Sequence, residues 1–317
     1  MATYNGEKFI LEQLESFVKQ RRQPDELIVT DDCSNDKTIE IIEEFKKQAP
    51  FVVKIYRNET NLGYTQNFNR ALELCTGELI LLSDQDDVWF PTKIEYILGL
   101  TVQYPDKALF MIDTKLTDET LKESEFSKQG QIKDLGLADS SFVMGCCIAI
   151  KQNLLKPILP IPNTFTGHDN WLVKIADILN LRHIDNSIQQ YYRIHGNNTS
   201  TFIGNNLAKM EKPKITFRKK IVAWLKISKL SVFNDFINKN SNFIEPLERL
   251  TKRQYSPIAE IALNSIKNNI ELNKKRLNIV ESKNIFDRIT KSFKLYFSGG
   301  YDAFNGLKSC LSDILRD

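Results

Sequence analysis

The stretch Glu78-Leu79-Ile80-Leu81-Leu82-Ser83-Asp84-Gln85-Asp86-Asp87 constrains most what this chain can fold into. Its four apolar residues follow Thr76-Gly77, are too few for a helix and lack 3.6-residue spacing, so residues 79–82 are expected to form a buried central strand. That strand runs straight into three carboxylates. In open α/β sheets ligands bind at the C-terminal ends of strands, and Asp84 and Asp86, two apart in extended chain, can point to one side. Carboxylates held that close repel unless a cation shares the space. A hard divalent ion, Mg²⁺ or Mn²⁺, bridging to the phosphates of a nucleotide would meet that need. The other reading is a solvated acidic turn capping a helix that starts near Pro91, and Asp87 fits that reading equally well.

The flanking sequence supplies the sheet. Residues 7–20 pattern as a helix with Ile10, Leu11, Leu14 and Phe17 on one face, 27–30 as a strand, and 36–48 as a helix carrying Ile39, Ile42 and Phe45. A strand at 52–56 and a helix at 64–74 follow. This βα rhythm predicts a mostly parallel sheet with helices on both faces. Two loops then reach the sheet edge that carries Asp84: Ala2-Thr3-Tyr4-Asn5-Gly6 and residues 31–38. In the second, Asp32 can accept the imide N–H of a uracil or thymine ring while Ser34 or Asp36 caps the next helix; alternatively every polar group there is a cap.

Further along, 108–112 and 142–150 pattern as buried strands, with Cys146 and Cys147 as packing residues, and the polar stretch 117–136 as a mobile loop. Asp169 opens a helix running to about residue 179, with Leu172, Ile175, Ala176 and Leu179 inward. A helix N-terminus keeps a carboxylate ionised, the state a general base requires, although a plain helix-terminal charge would look the same. On a last short strand Arg193 and His195 alternate onto one face, where Arg193 can pair with phosphate and His195 can complete a metal shell or serve structurally.

At 317 residues the chain can bury a large core and carry an appendage, and a formal net charge of +3 is too mild to imply nucleic acid. Five cysteines, odd in number and including a vicinal pair, argue against a disulfide framework and for a reducing, cytoplasmic setting. No apolar run is long enough to span a membrane. Beyond residue 205 the chain turns helical and basic: Lys209, Lys212, Lys214, Arg218, Lys219, Lys220, Lys226 and Lys229 interleave with residues such as Phe217 and Trp224. Such a helix can lie peripherally on an anionic membrane or be an ordinary solvated face. Domains are expected at 1–205 and 206–317, the latter with helices at 231–238, 257–280 and 284–296.

Taken in order, Ala2-Thr3-Tyr4-Asn5-Gly6, the Asp31-Asp32-x-Ser34-x-Asp36-x-Thr38 loop, Asn61-Leu62-Gly63 with Asn67, Asp84-Gln85-Asp86-Asp87, Gly167-His168-Asp169 and Tyr192-Arg193-Ile194-His195 resemble family 2 glycosyltransferases, in particular the bacterial rhamnosyltransferase-like branch. The resemblance covers residues 1–205 and implies a GT-A fold, a nucleotide-sugar donor, Mg²⁺ or Mn²⁺, and inversion by direct displacement. It implies that Thr3, Tyr4, Asn5 and Asp32 hold the base and ribose, that Asn61 and Asn67 flank the nucleotide, and that Gln85 and Arg193 join Asp84 in donor binding. Asp84, Asp86 and His195 would hold the metal and Asp169 would be the base. Trp171 would stack on an acceptor sugar or belong to the core. The implied activity moves a sugar, rhamnose being favoured, from a dTDP- or UDP-sugar to a lipid-linked or growing cell-surface polysaccharide. Family members carry an apolar strand before the Ala-Thr-Tyr-Asn motif, so the first strand is expected to be missing. Two alternatives therefore stand beside the main reading: a truncated, non-catalytic nucleotide-binding homologue, and a Mg²⁺-dependent nucleotidyltransferase.

Overall fold

The computed structural model describes residues 1–196, 198 and 229–315, in two compact units, Met1–Lys212 and Pro213–Asp317. The expected boundary at 205/206 and the basic stretch over residues 209–228 lie outside the described residues.

The first unit opens with parallel strands β1 (Ala2–Thr3), β2 (Glu26–Asp31) and β3 (Val52–Arg57), joined by helices α1 (Ile10–Val18) and α2 (Thr38–Lys46). Strand β1 is formed by two residues of the Ala2-Thr3-Tyr4-Asn5 motif itself and is not the apolar strand expected ahead of that motif. Its Ala2 lies opposite Thr30 and Thr3 opposite Asp31, and the Met1 ammonium donates to the Ile28 carbonyl at 2.8 Å. Helix α1 buries Ile10, Leu14 and Phe17, whereas Leu11 is 47% exposed: it lies about 100° around the helix from Ile10, off the stripe set by the i, i+4, i+7 spacing. These residues pack with Val29, Ile42 and Phe45 into one apolar cluster.

Helix α3 (Tyr64–Leu74) leads into β4 (Leu79–Leu81), the acidic turn, β5 (Val88–Trp89) and α4 (Lys93–Gln103). Strands β6 (Leu109–Thr117), β8 (Ile148–Lys151) and β9 (Arg182–Arg193) complete a second sheet in the order β4-β8-β6-β9-β5. The parallel pairing expected from the βα rhythm recurs between β6 and β9, while β8 runs antiparallel to both β4 and β6. Strand β4 is the end of this ladder and not its centre. Between β4 and β2 lies a cleft of about 690 Å³ lined by Met1, Ile28, Leu79 and Leu81 among others, to which Asp84, Asp86 and Asp169 do not contribute.

Two segments differ from the sequence expectation. Residues 117–136 form a short strand β7 (Glu123–Ser127) on the edge of β6 and a helix α5 (Lys128–Asp134), whose polar Gln129 and Gln131 are buried in place of the apolar residues that would have revealed a pattern. Within 142–150 only β8 is strand. The chain before it makes a 3₁₀ turn, Gly145–Cys147, and the His168 ring occupies the position a Cβ on residue 145 would need, so a glycine stands there. Helices α6 (Gln152–Ile158) and α7 (His168–Ile178) close the unit, with Leu172, Ile175, Ala176 and Leu179 fully buried as the pattern predicts. Trp171 is core: it is fully buried and its indole N–H donates to the Ile158 carbonyl at 2.9 Å.

The second unit holds α8 (Lys229–Ser241), α9 (Ile244–Leu250), α10 (Ser256–Glu281), α11 (Ile285–Phe297) and α12 (Leu307–Leu315). Its core of Ile279, Leu295, Tyr301, Cys310 and Ile314 surrounds a buried Arg276–Asp313 pair at 2.7 Å, to which the Tyr301 hydroxyl donates at 2.8 Å. No helix among the described residues is long and apolar enough to cross a membrane.

Phe110, the second residue of β6, is fully buried and Val102 is 80% exposed on α4. Truncating Phe110 to Ala leaves a cavity and is expected to lower the urea-unfolding free energy of the first unit by about 3–5 kcal/mol, against about 0.5 kcal/mol or less for Val102→Ala.

Candidate active site

Two loops at the C-terminal ends of β1 and β2 are bonded into one body. Asp31, fully buried, accepts from the Thr3 hydroxyl at 2.9 Å and from the Ser34 backbone N–H at 2.9 Å. Ser34 in turn accepts from the Asn5 N–H, Thr38 from the Gly6 N–H, and Asp36 from the Glu7 N–H. The polar residues of 31–38 therefore hold the 3–7 loop as well as their own helix. Asn5 adopts a left-handed conformation (φ 47°) and accepts from the Asn35 N–H. Tyr4 is 47% exposed at the rim.

Asp32 is 2% exposed. One of its oxygens accepts from the Asn58 amide and the Leu62 N–H, both at 2.7 Å, and the other from the Gly63 N–H at 2.9 Å. Asn61, exposed, donates to the Asp32 carbonyl, and Asn67, buried, joins Asn58 to the Thr3 carbonyl. Asp32 thus sets the path of the Asn61-Leu62-Gly63 loop.

The acidic turn meets these loops through Gln85, whose amide accepts from the Tyr4 N–H at 2.9 Å and donates to the Tyr4 carbonyl at 3.0 Å. A Cβ on Gly6 would run into that amide, so the glycine is what allows the two segments to touch. Burial, with Asp86 and Asp169 adding, pushes the Asp84 carboxyl up to about 7. Asp169 stands in the first turn of α7, its own oxygen accepting from the Asn170 N–H at 2.8 Å, and Gly167 ahead of it (φ 90°) is held by the Thr65 hydroxyl at 3.0 Å. Carboxylates from the end of β4 and the start of α7 are therefore close enough to feel each other. The neighbouring His168 is buried against the Phe68 ring, 3.8 Å between centroids, which pushes its pKa down to about 4 and leaves it neutral.

His195 approaches Asp86 at 2.9 Å, Nε2 to Oδ2, and packs on the Phe9 ring. Arg193 is 2% exposed, with its donors turned inward: Nε to the Asp86 carbonyl at 2.9 Å, one Nη to the Glu119 carbonyl at 2.6 Å, the other to Glu12 at 2.8 Å. Asp87 lies below the turn, fully buried, accepting from the Gln190 amide at 3.2 Å. Burial, then Asp86 and Asp84, pushes its carboxyl well above the usual range.

Potential ligand atoms fall into two groups. Asp84, Asp87 and the Cys146 sulfur lie within 4.8 Å of one another. The Cys147 side chain and burial push the Cys146 thiol well above its usual range, so it stays protonated and is a poor ligand. Asp84 and Asp86 are only partly buried, and His195 Nε2 lies 2.9 Å from Asp86 Oδ2, but this set of carboxylate oxygens and one imidazole nitrogen is not gathered as closely as the first. That set fits a hard or borderline divalent ion, which would relieve the repulsion registered at Asp84.

Residues 1–159 match the model of Glycosyl transferase family 2. The chain belongs to that family. This family 2 glycosyltransferase is 29% identical over 239 residues, 68% of its length and 77% of the relative's, to the dTDP-rhamnosyl transferase RfbG of Shigella flexneri. Its fold is similar to that of residues 1–349 of S. aureus TarS solved with UDP, at a TM-score of 0.53 and 17% identity over 99% of this chain and 87% of that one. It is also similar to the mannosyltransferase PcManGT of Pyrobaculum calidifontis solved with GDP-Man and Mn²⁺, at a TM-score of 0.50 and 14% identity over 99% and 82%. These likenesses are those of a GT-A fold with a sheet flanked by helices, followed by a helical C-terminal region.

The site also holds residues that no motif exposes. Lys93, Gln190 and Glu12 each contact the turn or its partners, yet Lys93 reads in the sequence as an ordinary surface lysine. The signal available was its position: it continues the buried stripe Ile97 and Leu100 of α4 one turn back, where an apolar residue would be expected.

The raised carboxyl of Asp84 gives a pH signature. Below about pH 7 a proton already occupies it, and this group stabilises the metal-free fold more at pH 6 than at pH 8, because the folded state then binds the extra proton. A divalent ion must displace that proton. The rise in melting temperature on adding Mn²⁺ is therefore expected to be larger at pH 8 than at pH 6, and to be mostly lost in Asp86→Asn, as differential scanning fluorimetry would record.

Proposed function

We propose that this protein is an inverting glycosyltransferase that takes a sugar from a dTDP- or UDP-sugar, with rhamnose favoured, and transfers it to a hydroxyl of a lipid-linked or growing cell-surface polysaccharide. The observation that carries the reading is the approach of two carboxylates from separate elements, Asp84 at the end of β4 and Asp169 at the start of α7, close enough for Asp169 to add to the rise at Asp84. A family in which the relative RfbG is named a dTDP-rhamnosyl transferase, and in which TarS was solved with UDP, supports a pyrimidine nucleotide donor.

In this reading the exposed Tyr4, Asn5 and Asn61 contact base and ribose. Thr3, Asp32 and Asn67, buried and bonded among themselves, shape the pocket from beneath, and Gln85 couples the base loop to the diphosphate side. Arg193, whose expected partner was a phosphate, acts through the Asp86 carbonyl it holds, since the fold already uses its donors. Asp84, Asp86 and His195 would hold Mg²⁺ or Mn²⁺, which when bound would offset the charge of the leaving diphosphate. Asp169 accepts the proton of the attacking hydroxyl on the opposite side. An alcohol is too weak a nucleophile until that proton leaves, so the base contributes to the transition state and little to donor binding.

Asp169→Asn retains size and removes basicity. Transfer measured with dTDP-rhamnose and UDP-sugars is expected to fall by roughly 10²–10⁴ with donor affinity near wild type. Loss of donor affinity with unchanged turnover at saturation would place the base elsewhere. Release of pyrophosphate instead of nucleoside diphosphate would make the enzyme a nucleotidyltransferase.

A further inference from the structure

Beneath the acidic turn sits a cation that the reaction as described does not use. Lys93, the first residue of α4, is 1% exposed. Its ammonium lies 3.8 Å from the centre of the Trp89 ring, donates to the Cys146 carbonyl at 3.1 Å, and makes a short hydrogen bond to the Gln190 side-chain oxygen. The other end of the Gln190 amide donates to Asp87, whose second oxygen accepts from the Arg193 N–H at 3.4 Å. Arg193 in turn holds the Asp86 carbonyl. A continuous chain of hydrogen bonds thus runs from the buried ammonium to the residue that faces His195.

The chemistry of each link explains its residue type. Burying a lysine is costly unless its donors are met, and a methionine of similar length would pack against Trp89 without that cost. What a methionine could not do is orient Gln190. An amide presents either its oxygen or its NH₂ to a neighbour, and a cation at one end dictates that the NH₂ faces Asp87 at the other. With the amide reversed, its oxygen would face the buried carboxylate and leave it without that donor. Lys93 also ties the carbonyl of Cys146, whose sulfur lies within 4.8 Å of carboxylate oxygens of Asp84 and Asp87, so both sides of the turn are referenced to one ammonium.

We propose that Lys93 is a positioning residue that, through Gln190 and the Cys146 carbonyl, fixes Asp87 and with it the turn presenting Asp84 and Asp86. This rests on the functional reading above for its consequence in catalysis, and on the hydrogen-bond chain alone for its effect on the turn.

Amide hydrogen exchange read by mass spectrometry separates the two. In Lys93→Met, exchange over residues 82–90 is expected to rise about tenfold while residues 109–117 of β6 exchange as in wild type, a local loosening without a global one. The KM for the sugar nucleotide rises by a similar factor, and more than kcat falls. Should Lys93→Met fail to fold, Gln190→Met removes the relay while keeping the cation, and the same pattern at 82–90 is expected of it. Wild-type exchange at 82–90 in the folded variant, or an equal rise at 82–90 and 109–117, would overturn the proposal and make Lys93 an ordinary stability residue. A wild-type protein that transfers no sugar would sink the functional reading and leave the exchange comparison standing as the test of Lys93.

Discussion

Repulsion among carboxylates at the end of β4 is the constraint on which the rest of the site depends. Asp84, Asp86, Asp87 and Asp169 gather where burial makes each charge costly, and Asp84 and Asp87 register that cost as raised carboxyls. Such a cluster persists only because something else determines the geometry. Here it is a framework of donors: Gln190 and the Arg193 backbone on Asp87, and His195 on Asp86. The arrangement leaves Asp84 and Asp86 short of positive charge on the accessible side, where a metal–diphosphate would supply it.

The same economy governs the 3–7 and 61–63 loops. A nucleotide pocket needs backbone held away from regular structure, and unpaired backbone groups must find side chains. The polar residues of 31–38 serve as those partners for the 3–7 loop, and Asp32 serves the 61–63 loop. Residues read from sequence as ligand contacts thus divide by depth into those that touch the rim and those that hold it in place. Exposure separates Tyr4, Asn5 and Asn61 from Thr3, Asp32 and Asn67.

Much of the fold was legible because its periodicity is strong. Helix α3 occupies 64–74 as patterned, and Leu172, Ile175 and Ala176 of α7 are inward as read, joined by Trp171 and Val173. The elements that were misread are those whose burial is polar or whose shape comes from a distant contact. Gln129 and Gln131 hide α5, and the 3₁₀ turn at Gly145 packs against His168 of a separate helix. Strand β4 looked central because it is apolar, a property shared by the end strand of a sheet covered by helices. At the site, the carboxylates were visible as motifs, whereas Lys93, Gln190 and the inward turn of Arg193 were not, since a buried cation becomes intelligible only when its partners from the Gly145–Cys147 turn and β9 are in place.

The central claim is that Asp84 and Asp86 with His195 form a metal–diphosphate site, so metal and nucleotide must bind each other's complexes better than the bare protein. Calorimetric titration of dTDP and UDP into the wild-type protein, with and without saturating Mn²⁺, measures this coupling. The account predicts that Mn²⁺ tightens nucleoside diphosphate binding by about tenfold or more. Equal affinity in the two titrations would contradict it.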